Sequence, residues 1–360
     1  MNLQLFVALV AVVCAVSATE TNAKTTIARG VDTGVKNHAY VSLPDPPLPH
    51  VAKKVKLEGD KAMVATNLGG WLVLEPWITP SLFYRFLDAF PGVDGGPAFD
   101  SYMVCNALGP FVGNKLMRAH YDSWITEDHI AALAARQVEM VRLPIGDWTL
   151  EPYGPYIGCM NGAKEKIDWV LDTCHKYGIK VLVDVHAMKG SQNGFDNSGL
   201  TNHVSWIDNQ HFSHWPDSVA EWQGEWNSDT QSYSYLSQDN MNWSLKQAER
   251  FLKRWGAHPA FYAYEPVNEP WWNSDLTSLF EFYRDTRKLV QEYAPQALFV
   301  FHDAFTYDSG LWNTLFADDD TDKVVLDHHY YQAWNQGMWT TDEFCSDYET
   351  NAAYADTLDR

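Results

Sequence analysis

From Met63 onward the chain alternates two hydrophobic rhythms. Short apolar, β-branched runs of the kind that form strands buried on both faces are followed by stretches whose apolar residues recur at helical spacing. Thr126 is placed to cap a helix with Glu127 and Asp128 in its first turn, and Ile130 and Leu133 continue its apolar face. Residues 138–145 then read as a strand. Ile167, Val170, Leu171 and Cys174 share one helical face, with Gly178 after it as a stop. Residues 179–185 (IKVLVDV) form a second buried-type strand. Ser244 and Gln247 have capping-box spacing, ahead of a face built from Leu245, Ala248, Phe251, Leu252 and Trp255, and Gly256 ends it. Residues 261–267, 297–302 and 324–329 are further strands, and Leu289 lies on another helical face between the first two.

Repeated βα units predict an α/β fold with a parallel sheet covered by helices. Neither GxGxxG nor GxxxxGK[ST] follows a strand, which weakens a doubly wound nucleotide fold against a (β/α)8 TIM barrel. Six strands begin near residues 63, 138, 179, 261, 297 and 324. A closed barrel needs eight, and two more units take roughly 60 to 100 residues. About 30 residues follow position 329. The expectation is therefore a barrel at residues 61–360 that is incomplete, with about six of eight βα units and strands 7 and 8 missing.

The ends have a different character. Residues 1–18 carry no charged side chain and finish in Val16-Ser17-Ala18, which reads as a secretory signal peptide. A retained membrane anchor is the alternative, but a span needs about twenty apolar residues, so this run is marginal. Secretion predicts an extracellular or cell-wall location with no membrane attachment once the signal is removed. Residues 19–60, polar and then rich in proline (Pro44, Pro46, Pro47, Pro49), read as an N-terminal extension. Residues 201–240 carry Trp206, Trp215, Trp222 and Trp226 and read as an insert, either a lid over a cleft or a satellite hydrophobic cluster. With Cys14 in the signal, Cys105, Cys159, Cys174 and Cys345 remain, and three pairings are open. Asn242-Trp243-Ser244 is a glycosylation sequon or a chance match.

Composition narrows the partners. Asp and Glu number 46 against 26 Lys and Arg, a formal net charge of −20. That balance argues against nucleic acid and anionic lipid, which call for basic patches. Polar residues recur just past strand ends: Arg142, His186, Asn268-Glu269 and His328-His329. In a parallel barrel that end holds the substrate. Glu269, among Tyr262, Tyr264, Trp271 and Trp272, is the candidate general acid, since desolvation would raise its pKa. Asn268 would hold a sugar hydroxyl. His186 and His329 have no metal-ligand spacing, and neither a metal nor a cofactor is expected. Arg142 would hold a carboxylate ionised and in place. Trp71, Trp77, Phe195, Trp271, Trp272 and Trp334, close to carboxylates and amides, suit the apolar faces and hydroxyls of a pyranose.

Residues 67–83 (NLGGWLVLEPWITPSLF), 190–199 (GSQNGFDNSG), 141–145 (VRLPI), Asn268-Glu269-Pro270 and 327–332 (DHHYYQ) together resemble the exo-β-1,3-glucanases of glycoside hydrolase family five, over about residues 63–335. The resemblance implies a (β/α)8 barrel, a monomer, and retaining release of glucose from the non-reducing end of β-1,3-glucan. It implies Glu269 as acid/base, with Arg142, His186, Asn268, His329 and Tyr331 around the cleaved sugar; His328 and Tyr330 are the other register. Glu75, Asp196 and Asn197 would hold the terminal glucose, and Phe195 and Trp334 would clamp the next sugar. The family's nucleophile, a Glu some 35 to 40 residues past the His-x-Tyr motif, maps beyond Arg360. A retaining mechanism needs a second carboxylate roughly 5 to 5.5 Å from the first, so the 360-residue chain is expected to be inactive on its own. A non-catalytic glucan-binding protein, or a family-five endo-glucanase or β-glucosidase, are the other readings.

Overall fold

The computed structural model describes residues 6–7, 63–83, 100–202, 204–207, 215–218, 220–227, 229–306, 308–316, 323–331 and 340. The expected extension at 19–60, Trp334 and Cys345 lie outside these, as does all of the expected signal peptide except Phe6 and Val7. The strands are β1 (Phe6–Val7), β2 (Ala65–Asn67), β3 (Met140–Gly146), β4 (Lys180–Ala187), β5 (Val204–Ile207), β6 (Trp215–Ser218), β7 (Gly224–Asn227), β8 (Ser232–Leu236), β9 (Phe261–Glu265), β10 (Leu298–His302) and β11 (Val324–His328). The helices are α1 (Pro80–Phe83), α2 (Ser101–Ser123), α3 (Glu127–Ala135), α4 (Ala163–Lys176), α5 (Gln238–Trp255), α6 (Leu276–Tyr293) and α7 (Ser309–Leu315).

The six expected strands β2, β3, β4, β9, β10 and β11 line up in chain order, each parallel to the next. The short β1 lies parallel beside β11. A doubly wound sheet reverses its strand order at a switch point. This order does not reverse, so the sheet winds as an arc of a (β/α)8 barrel. Alternation along the strands gives its two faces different chemistry. Val141, Leu143 and Ile145 of β3, with Val181, Val183 and Val185 of β4, face the large core shared with the helices. Met140, Leu182, Ala263, Val300 and Val325 form a separate apolar layer on the opposite face. Two residues further along each strand, that face carries Arg142, Asp184, Glu265, His302 and Asp327, all buried.

Local chemistry explains most element ends. Thr126 caps α3, with His129 Nδ1 accepting the Thr126 N–H at 3.2 Å. Ile167, Val170, Leu171 and Cys174 are the buried face of α4, as their spacing implies. Asp100 caps α2, accepting Met103 N–H at 2.7 Å through one oxygen and Thr201 N–H at 2.7 Å through the other. A disulfide joins Cys105 on α2 to Cys159, just after the 3-10 turn Gly154–Gly158. Cys174 is a buried free thiol, pushed up to about 12 by burial.

One expectation is corrected. The helix expected to open at Ser244 opens at Gln238 with Ser237 as its cap, accepting Asn240 N–H at 3.3 Å. Ser244 and Gln247 lie on its buried face instead, and Ser244 Oγ accepts the Trp222 indole N–H at 3.0 Å. Residues 201–240 contain two antiparallel strand pairs, β5 with β6 and β7 with β8. Trp222 is packed into the main core against Phe282, at 4.9 Å between ring centroids, and Trp226 against Tyr233 at 5.2 Å. Those two indoles serve packing.

Candidate active site

The charged inner face sits toward the C-terminal ends of the strands, and its centre is Arg142. The guanidinium reaches Asp184 Oδ2 at 2.7 Å, Glu265 Oε2 at 2.8 Å and Asn268 Oδ1 at 2.7 Å. His186 shares Asp184 Oδ2 through Nδ1 at 2.6 Å. Burial pushes the Glu265 carboxyl well above the usual carboxylate range, against the pull of Arg142. Its Oε1 has no partner among the described residues, so that oxygen can carry a proton while Oε2 accepts from Arg142. One cation, two carboxyls, an imidazole and an amide thus form a single buried network that fixes the floor of the site.

Glu269 stands above this floor, four residues past the end of β9. Its backbone is left-handed, with φ of 43°, an uncommon conformation for a residue with a side chain. Oε1 accepts from Tyr331 Oη at 2.5 Å and from His329 Nδ1 at 2.7 Å. Oε2 accepts from Asn197 Nδ2 at 3.0 Å. Asn268 N–H is tied to Val185 O at 3.0 Å, and its Nδ2, fully buried, has no partner among the described residues. Gln192 bridges the two loops, donating through Nε2 to His186 O at 2.9 Å and to Asn268 O at 2.8 Å.

The direction of the Glu269 pKa corrects the sequence expectation. Burial raises it, but the hydrogen bond and charge of His329 outweigh burial and hold the carboxyl well below its ordinary range. For His329, burial lowers the pKa, yet Asp327 and Glu269 on either side lift it well above the ordinary histidine value. In the ligand-free site the proton therefore rests on the imidazole and not on the carboxyl.

The outer wall holds the remaining residues. Glu75 Oε1 accepts the Gly70 N–H at 3.1 Å. Gly70 has φ of 65°, and a Cβ there would fall 2.7 Å from Ile78, so the two-glycine turn of the NLGGW segment is required. Asp196 opens a short 3-10 turn, and its pKa is raised first by burial and also by the nearby Glu75. Trp77, 88% exposed, lies near Asp196 and offsets part of that rise. Phe195 meets Trp271 edge-on at 4.8 Å, and Trp271 meets Phe305 at 5.3 Å.

The structure thus brings Arg142, His186, Asn197, Asn268, Glu269, His329 and Tyr331 into one connected cluster, with Glu75, Asp196 and Phe195 on its wall. His328 turns away to Asp303 at 2.7 Å, so the register with His329 and Tyr331 is the one that reaches Glu269. Sequence reasoning missed Asp184, Glu265, Asp327, His302 and Gln192. A signal was present for the first three: a lone carboxyl in an otherwise apolar strand run, two to four residues before a site residue on that strand or just past its end. Glu269, His302 and His329 bring ligand atoms within 4.8 Å of one another, as do Glu265, Asp327 and His329. Three of the four nitrogens of these rings are already committed, and the fourth, His302 Nε2, which has no partner among the described residues, carries the proton of the neutral ring. His329 Nδ1 and Nε2 both face carboxylates, and His302 Nδ1 accepts the Ala304 N–H at 3.0 Å. A metal-bound histidine instead donates its second nitrogen to an acceptor. The cluster therefore suits proton sharing better than metal ligation.

Residues 107–359 match the model of the cellulase family, glycosyl hydrolase family 5. A glucan 1,3-beta-glucosidase of Blumeria graminis is 34% identical over 275 residues, covering 75% of this chain and 55% of that relative. One from Yarrowia lipolytica is 34% identical over 286 residues, covering 78% and 59%. The chain thus spans a little over half the length of these curated relatives. Rutinosidase from Aspergillus niger superposes with a TM-score of 0.59 at 20% identity, over 81% of this chain and 75% of that one, a likeness of fold alone.

Proposed function

The chain belongs to glycosyl hydrolase family 5, and from that premise we propose that it serves in a retaining exo-β-1,3-glucosidase, with Glu269 as acid/base. The observation that carries this reading is the buried hydrogen-bonded setting of Glu269 at the C-terminal end of a parallel sheet, beside an amide donor and aromatic rings. Family membership makes the substrate a carbohydrate. The relatives named glucan 1,3-beta-glucosidase favour β-1,3-glucan over other glucans. Asn268 Nδ2, unpartnered among the described residues, is the donor suited to a hydroxyl of the cleaved sugar. Glu75 and Asp196 on the wall are suited to the hydroxyls of a terminal glucose, with Phe195 against the next ring.

Hydrolysis then takes two steps. Glu269, protonated, donates to the leaving oxygen as a carboxylate attacks the anomeric carbon; Glu269 next takes a proton from the water that releases glucose. Among the described residues the carboxyls nearest Glu269 are engaged. Glu265 and Asp184 are on Arg142, and Asp327 is on His329. The attacking group is accordingly assigned to none of them. A secreted protein is the setting we propose, on the strength of the apolar residues 1–18 and of the Cys105–Cys159 disulfide, which oxidising compartments favour.

Product analysis on laminarin tests the reading. Where the attacking carboxylate is present, glucose should be the sole first product, and Glu269→Gln should lose at least about a hundred-fold in rate. If the chain supplies the acid but not the attacking carboxylate, azide should restore turnover of an aryl β-glucoside and yield the α-azide. Equal turnover by wild type and Glu269→Gln would overturn the assignment.

A further inference from the structure

Asp327 lies two residues before His329, so both side chains leave the chain on the same face. Asp327 Oδ2 is 3.2 Å from His329 Nε2, and His329 Nδ1 is 2.7 Å from Glu269 Oε1. The imidazole, one residue past β11, is therefore held between two carboxylates, one from the end of β11 and one from the turn after β9. Glu265 of β9 and His302 of β10 also face it, and Arg142 of β3 draws on Asp327 from below.

His302 meets His329 edge-on, with ring centroids 4.7 Å apart. Because its Nδ1 accepts the Ala304 N–H, the neutral ring carries its proton on Nε2. Burial and the charge of His329 push His302 down to about 4, so one imidazole of the pair is charged and the other is not. Burial opposes ionisation of Asp327 as well, yet His329 and Arg142 bring it down to about 2. Asp327 is thus an acceptor throughout the working range of most enzymes.

We propose that Asp327 is a positioning residue, which keeps the His329 Nε2–H donated to itself and leaves Nδ1–H as the one mobile proton, a reserve from which Glu269 is charged before it protonates the leaving oxygen. The use of that proton rests on the glycosidase reading of Glu269; the arrangement of the proton does not. In the transfer the Nδ1–H bond breaks as Oε1–H forms. His329 passes from imidazolium to the neutral Nε2–H form, still donating to Asp327. Oε1–H then goes to the leaving oxygen. In the second half the proton taken from water returns through Oε1 to Nδ1, so the cycle closes with no other reactant. A histidine oriented by an aspartate through its second nitrogen is the arrangement that selects one tautomer elsewhere in catalysis.

Nitrogen-15 spectra of histidine-labelled protein test this without substrate, and His329→Gln identifies the His329 signals. In the wild type, His329 should stay doubly protonated from pH 5 to 8. In Asp327→Asn its midpoint should fall at least one unit, a tenfold change in proton affinity, and Asp327→Glu should restore it. In Glu269→Gln, the neutral His329 ring should carry its proton on Nε2. An unmoved midpoint in Asp327→Asn, or a neutral ring protonated on Nδ1 in Glu269→Gln, would overturn the proposal; the second measurement decides it if Asp327→Asn does not fold. Azide-supplemented aryl β-glucoside assays on the same samples separate the two readings. The expected His329 behaviour in a protein whose turnover azide does not restore keeps the relay and removes the glycosidase role. Turnover with His329 unmoved does the reverse.

Discussion

Arg142 and Asp147 show how much one buried charge depends on its neighbours. Arg142→Met would leave Asp184 and Glu265 facing each other without a cation. Breaking a buried pair of this kind costs about 3–5 kcal/mol, to be read from urea unfolding at pH 7. The loss should shrink at acid pH, where protonation removes the stranded charge. Asp147 works in the opposite sense. It accepts Tyr153 Oη–H and Lys189 N–H, each at 2.8 Å, but burial still raises its pKa from 3.8 to about 7. A carboxyl whose folded pKa lies above its unfolded one binds a proton more tightly when folded. Stability is therefore lost as pH rises between about 4 and 7. Asp147→Asn, which keeps the volume and can still accept Lys189 N–H, should gain on the wild type in melting temperature across that window and show no pH-dependent gain below it. A pH series of thermal melts checks this.

The start of α5 separates pattern from packing. Ser244 and Gln247 have the letters of a capping box, yet the helix runs about two turns further back, to Gln238. Helical spacing marks a face and says little about where the first turn begins, and Ser237, Asp239 and Asn240 suit a loop as well as an end. Tertiary contact decided it: Trp222, just before β7, needs an acceptor for its indole N–H and finds Ser244. Ser237→Ala should cost about 1 kcal/mol as a lost cap. Ser244→Ala should cost about 1–3 kcal/mol, because it strands a buried donor, and should change the emission of Trp222 as well. Urea titrations followed by fluorescence distinguish the two. For α3 and α4 sequence and structure agree, since their caps and buried faces are built from residues close in the chain.

At the scale of the molecule, the disulfide staples a loop of 54 residues and ties α2 to the turn after β3, beside the strands that carry Arg142 and His186. Such closures contribute about 2–4 kcal/mol. Cys105→Ser with Cys159→Ser should lower the urea midpoint accordingly, and a reductant should leave the double variant unchanged while bringing the wild type toward it. Among the described residues no helix is long and apolar enough to cross a membrane.

Six parallel strands, their order and the residues at their C-terminal ends were legible along the chain, because βα alternation and strand-end polarity are local patterns. Glu269 itself could be picked out as a candidate from the motif around it, and the structure places it in the cluster with His329, Tyr331 and Asn197. The partner of each charge was not. Asp184, Glu265 and Asp327 read as isolated carboxyls in three separate strands, and only the sheet brings them beside Arg142 and His329. The direction of the Glu269 pKa followed the same division: its own neighbours in sequence suggested a raised value, while His329, sixty residues away, lowered it. Periodicity is a property of the chain, whereas a proton's resting place depends on distances of a few ångströms between strands, and those exist only once the sheet has formed.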